Sequence, residues 1–175
     1  MRFFATAFSL FVVLASSASL SAKGVTTKIT ISSASLSGPI DITDDAVLTK
    51  FQVWSGPGVF HGRGPIFQDG GTVVEETEGF IIDWSSGVVA EHPSGLPHYE
   101  VAFYVSSSNQ PAYVVFYEHD SSTRQGCVYL PGQADQLYSL NSSAMSHGHG
   151  FEGNWLHASS AWQNAVVPLI ARAAR

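Results

Sequence analysis

YEVAFYVSSSNQPAYVVFYEHDSSTRQGCVYL, residues 99–130, is the stretch whose reading decides the fold. Tyr99, Val101, Phe103 and Val105 alternate with Glu100, Ala102 and Tyr104, a period of two that puts one apolar face on a strand. Residues 112–117 are apolar on both faces, as a central strand is. Residues 127–130 make a third strand, stopped by Pro131-Gly132. The polar stretch 118–126 joins the last two as a hairpin loop, with Asp120 and Gly126 as turn residues. Three successive strands with short connections imply antiparallel pairing.

Working outward, Val25, Thr27, Ile29 and Ile31 alternate with Thr26, Lys28 and Thr30, which reads as another half-buried strand. Ser37-Gly38-Pro39 is a turn signal before a short strand at 39–43, and Thr43-Asp44-Asp45 can cap a short helix near 45–52. Phe80, Ile82 and Trp84 alternate in a further strand. Seven glycines between 56 and 79 interrupt every periodicity, so residues 55–79 read as a long Gly-rich loop. After Ser159-Ser160, Trp162, Val166, Leu169 and Ile170 recur at helical spacing, with Pro168 expected to kink that helix or start a second one. The fold class is mainly β: an antiparallel sheet of five to seven strands, as a sandwich or partly open barrel, with a short helix and a packed C-terminal helix.

The N-terminus carries the clearest address. Met1-Arg2 precedes thirteen mostly apolar residues, 3–15, and then the small residues of 16–22. This is the order of a secretory signal peptide, with cleavage expected between 18 and 22 and a single domain over 23–175. Thirteen apolar residues are too few to span a membrane core, which needs about 20. No cysteine lies at the cleavage zone for lipid attachment. The mature chain is therefore expected to be soluble, secreted or periplasmic, without a transmembrane anchor. A lone cysteine, Cys127, forbids an intramolecular disulfide.

Fourteen acidic against eight basic residues give a net charge of −6, with the basic residues scattered. That acidity argues against nucleic acid as a partner. A small molecule, a glycan or a protein remains open.

Three function classes fit the residues. Tyr104, Tyr113, Tyr117 and Tyr129, if they lined one exposed sheet face, would form a stacking platform for a non-catalytic binding or interaction domain. This is the favoured reading, because no G-x-S-x-G elbow, HExxH or P-loop pattern occurs and no catalytic residue is assigned. His147, His149 and His157 could ligate zinc or copper; otherwise no cofactor is implied. Glu100, Glu118 or Asp83 beside a histidine in a cleft would instead mark a hydrolase, although Glu100 shares its strand face with Ala102 and Tyr104, a face suited to solvent.

PIDITDDAVLTKFQVWSGPG (39–58), GFIIDW (79–84), YVVFYEHDSSTRQGCVYLPG (113–132) and GNWLHASSAWQNAV (153–166) together resemble small secreted bacterial proteins of uncharacterised function. That resemblance implies export and one β-rich domain, and carries no activity or site residues. Intact mass of the protein exported by its own leader is expected to show a chain beginning between residues 19 and 23. A full-length mass would reject the signal peptide.

Overall fold

The computed structural model describes residues 26–48, 81–83, 85–105, 108–144 and 151–175. The expected signal peptide at 1–22, the expected Gly-rich loop at 55–79, Trp84, His147 and His149 lie outside them. Within the described residues six strands form one open sheet: β1 (Thr26–Ser32), β2 (Ile40–Ile42), β3 (His98–Val105), β4 (Tyr113–Asp120), β5 (Gln125–Tyr129) and β6 (Trp155–His157). Their spatial order is β2-β1-β3-β4-β5-β6, and every neighbouring pair is antiparallel. The protein is mainly β, and among the described residues its second layer is a helix rather than another sheet.

Register follows from the alternation. Ile29 lies opposite Phe103 and Phe103 opposite Tyr113. Val101 faces Val115, Tyr99 faces Tyr117, and the row continues through Val128 to Leu156. All these side chains project from one face and are buried. Helix α3 (Ser160–Ala173) lies on that face and buries Trp162, Val166 and Ile170, four residues apart. The Trp162 indole meets the Tyr117 ring edge-on at 5.9 Å. Ser159 caps the helix, its hydroxyl accepting the Trp162 N–H at 3.1 Å. The helix runs on through Pro168 to Ala173, and Arg172 Nε donates to the Pro168 carbonyl at 3.1 Å. A proline removes one donor from a helix, and the packed apolar stripe on either side of it carries the element across.

Two local features fix the middle of the sheet. Gly126 has no room for a side chain: a Cβ there would lie 2.7 Å from the Tyr117 ring, which Trp162 pins from above. In the β4–β5 turn, the Asp120 carboxylate accepts the Ser122 hydroxyl at 2.6 Å and the Ser122 N–H at 2.8 Å. Those bonds, with weaker ones from Thr123, hold its carboxyl down at about 2.

Helix α1 covers Asp45–Leu48 of the expected 45–52, the rest of which lies outside the described residues. Of the expected strand at 79–84, residues 81–83 are described, and Ile82 there makes an isolated bridge to Ala158. Strand β6 and helix α2 (Tyr138–Ala144) were not legible, since three residues and seven polar-rich residues carry little periodicity.

Helix α2 nonetheless has a defined task. Strand β5 last pairs at Phe116–Tyr129, so Val114 of β4 has no strand neighbour on that side. Asn141 supplies one: its Oδ1 accepts the Val114 N–H at 2.9 Å, and its Nδ2 donates to the Val114 carbonyl at 2.6 Å. The side-chain amide thus replaces a missing stretch of strand, inside the protein. Leaving a buried donor and acceptor unmade costs about 1–3 kcal/mol each. Asn141→Ala is therefore expected to lower stability by roughly 2 kcal/mol or more, read as a lower urea midpoint with an unchanged slope.

Candidate functional site

The face turned away from α3 begins with residues that alternation assigns to solvent: Lys28 and Thr30 on β1, His98, Glu100 and Tyr104 on β3. Toward β5 and β6 it changes character. One row across four strands reads His98, Glu118, Cys127, His157, each residue directly opposite the next. Paired residues share a face with Cβ atoms about 5 Å apart, so four ionisable side chains stand in a line.

Glu118 is only 7% exposed. A buried carboxylate needs compensating groups, because desolvation of an ion costs several kcal/mol. Here the compensation comes from two imidazoles. Oε1 meets His98 Nδ1 at 2.9 Å, and Oε2 lies 3.0 Å from His92 Nε2. The first contact is a hydrogen bond. The second is equally close but lacks hydrogen-bond alignment, leaving both atoms without a directed partner. No lysine or arginine pairs with this carboxylate among the described residues.

His92 belongs to no strand. It arrives on a strap, residues 85–97, which leaves the edge of β6 and crosses this face to β3. The strap starts beside β6: Val88 bridges Leu156, and the Val89 N–H donates to the Trp155 carbonyl at 2.9 Å. His92 then stacks on the Trp155 indole, centroids 4.0 Å apart and planes 14° from parallel. Phe116 flanks His98 at 4.8 Å, and Tyr129 flanks Trp155 at 5.3 Å. Tyr129 is held in turn by its hydroxyl donating to Asp135 Oδ2 at 2.8 Å. The carboxylate and its imidazoles are walled by aromatic rings.

Beside this cluster a cleft of about 420 Å³ opens between residues 32–35, Pro97, His98, Glu100 and Phe116. His98 is half-exposed and belongs to both places: its Nδ1 meets Glu118, and the residue lines the cleft. Ser33 and Ser35, on the opposite rim, share a hydrogen bond at 2.9 Å between their hydroxyls.

The residues singled out from sequence are distributed unevenly. Tyr113 and Tyr117 point into the helix-covered core, where burial pushes both phenols well above their ordinary range. Tyr104 and Tyr129 are on the other face, but Tyr104 sits four residues along β3 from the Tyr129 level, about 13 Å away at 3.3 Å per residue. Lys28 Nζ lies over the Tyr104 ring at 4.3 Å. The four tyrosines therefore do not form one platform, because alternation sends two of them to each face. His157 stands opposite Cys127, while its proposed co-ligands His147 and His149 lie outside the described residues. Among the described residues no three His, Cys, Asp or Glu side chains are placed to hold a metal ion.

Of the carboxylates, Glu118 is the one found beside histidines, and Glu100 lines the cleft. Asp83 closes a local turn instead. Partial burial works to raise its pKa, and hydrogen bonds from the hydroxyls and N–H groups of Ser85 and Ser86 overcome this and lower it. His92 and His98 were missed as a pair. They are six residues apart on a segment without periodicity, and only the β3–β4 register brings His98 to Glu118.

No family model, curated protein or solved structure matches the chain. Among the described residues no helix is long and apolar enough to cross a membrane. What the fold and site define is an open antiparallel sheet with one face closed by a helix and a carboxylate–imidazole site on the other.

Cys127 supplies a probe of this face. Burial, followed by the neighbouring Glu118 charge, pushes its thiol pKa up. A thiol-specific chromogenic reagent is expected to react with Cys127 at least about a hundredfold more slowly in the native protein than in denaturant, as an opening cost near 3 kcal/mol implies. Rapid native labelling would mean that the strap does not shield the row.

Proposed function

We propose that the protein is an exported hydrolase of small, uncharged esters or amides, working through His98 as general base with Glu118 behind it. The observation that carries this reading is a buried carboxylate bonded to one nitrogen of the half-exposed His98 imidazole, a residue that also lines a cleft. An ionised carboxylate can only accept, so Nδ1 carries the proton and Nε2 of the neutral ring keeps its lone pair. That is the tautomer a general base needs. The same arrangement forms the base half of the hydrolytic triads.

The step balances simply. Nε2 takes a proton from water, the water oxygen attacks the substrate carbonyl carbon, and the bond to the leaving group breaks. The imidazolium then returns its proton to the leaving group, and Glu118 offsets the positive charge while it lasts. Water is the nucleophile in this scheme; the cleft serines Ser33 and Ser35 are hydrogen-bonded to each other. The cleft volume falls within the ordinary range of small-ligand sites. Its charged lining residue is Glu100, alongside the titratable His98, which disfavours anionic substrates. Export rests on the leader-like residues 1–22 and on the resemblance to secreted bacterial proteins.

The test is hydrolysis of short-chain p-nitrophenyl esters by the purified mature chain. His98→Ala and Glu118→Gln are each expected to lower kcat/KM by about a hundredfold or more, in the range that general acid–base groups supply. Equal rates in all three proteins would reject the hydrolytic reading and return the cleft to a non-catalytic binding module.

A further inference from the structure

We infer that His92 is a positioning residue for the Glu118–His98 dyad, and that docking of the strap carrying it decides whether His98 is held in its working tautomer. This deepens the hydrolytic reading where turnover is concerned; the effect on the His98 ring stands independently of it.

The geometry is a relay of three contacts. The Trp155 indole fixes the plane of His92 by stacking at 4.0 Å. His92 Nε2 stands 3.0 Å from Glu118 Oε2, and Oε1 of the same carboxylate meets His98 Nδ1 at 2.9 Å. The terminal torsion of a glutamate is broad and soft, so nothing intrinsic to Glu118 turns Oε1 toward His98. The carboxylate orientation is set by what occupies its two sides. His98 holds one and His92 the other, and Cys127 fills the position across β5. The strap also keeps Glu118 out of water: its burial occurs on a sheet face that α3 leaves uncovered.

The strap is attached unevenly. At its start it is tied to β6 by backbone contacts at Val88 and Val89, after a turn at Gly87 with φ of +71°. At its end it becomes β3. Between them, the His92 imidazole reaches the sheet face at Glu118. With His92 lifted, water reaches Oε2, the carboxylate is free to rotate, and His98 loses a fixed acceptor at Nδ1.

Long-range ¹H–¹⁵N spectra of the imidazoles in the full mature chain, at neutral pH, report which ring nitrogen carries the proton. In the wild type His98 is expected to be protonated at Nδ1. His92→Ala is expected to shift His98 mainly to the Nε2-protonated tautomer. Its ester turnover is expected to fall about tenfold in kcat, as loss of orientation does, with KM changed less than about twofold. His92→Gln, whose amide can occupy the same side of the carboxylate and donate to Oε2, is expected to keep the wild-type tautomer. An unchanged His98 tautomer in a folded His92→Ala protein would overturn the proposal. If that variant does not fold by near-ultraviolet circular dichroism, Trp155→Leu serves instead: it removes the stack and leaves His92 in place. There, mixed His98 tautomers support the relay and a wild-type spectrum overturns it. Should the wild type hydrolyse no ester, the hydrolytic reading fails while the tautomer measurement still decides the role of His92.

Discussion

Strand β4 is buried from both sides, and the two covers are different in kind. Over one face lies α3, a regular helix whose apolar stripe meets Tyr117 and its row. Over the other lies an irregular strap that brings a histidine and rests on an indole. A central strand buried on both faces is ordinarily apolar throughout. Here Val114, Val115, Phe116 and Tyr117 obey that rule, and Glu118 breaks it two residues before the strand ends. The rest of the arrangement on that face follows from the need to accommodate one carboxylate.

The means of doing so bear on function. An arginine would have satisfied both oxygens at once with a planar fork. Two imidazoles approach them separately, His98 through a hydrogen bond and His92 through a close contact, and an imidazole can lose its proton at neutral pH where a guanidinium cannot. A group that only needed neutralising would be served better by arginine. Of the histidine pair, His98 also lines a cleft. The aromatic wall of Phe116, Tyr129 and Trp155 keeps water away from the carboxylate and fixes the ring planes without adding competing hydrogen bonds.

Much of the sheet was legible. Strands β1 and β3 show period-two alternation, β4 shows as a run apolar on both faces, β5 as a short run stopped by Pro131-Gly132, and the C-terminal helix in the four-residue spacing of Trp162, Val166 and Ile170. Strand β6 has three residues and no pattern of its own; it exists because β5 offers an edge. The tyrosine platform failed for a reason visible in the same alternation: Tyr113 and Tyr117 share parity with Val115, and Tyr129 has the parity of Cys127. Glu118 was legible as a candidate, but its partners were not. His98 reaches it through a register set by the β3–β4 connection, and His92 through a strap with neither helical nor strand periodicity. Sites assembled from a strand pair and a crossing loop leave little trace in local sequence pattern.

The amide of Asn141 deserves a last thought in the setting of biosynthesis. Asn141-Ser142-Ser143 has the form of an N-glycosylation acceptor, and the nitrogen that would receive the sugar is the one bonded to the Val114 carbonyl inside the fold. Glycan and fold thus compete for one atom. In a bacterial exporter the question never arises. In a eukaryotic secretory pathway, oligosaccharide transfer to the still-extended chain would remove the clamp before β4 could use it, so the choice of expression host bears on whether this clamp forms.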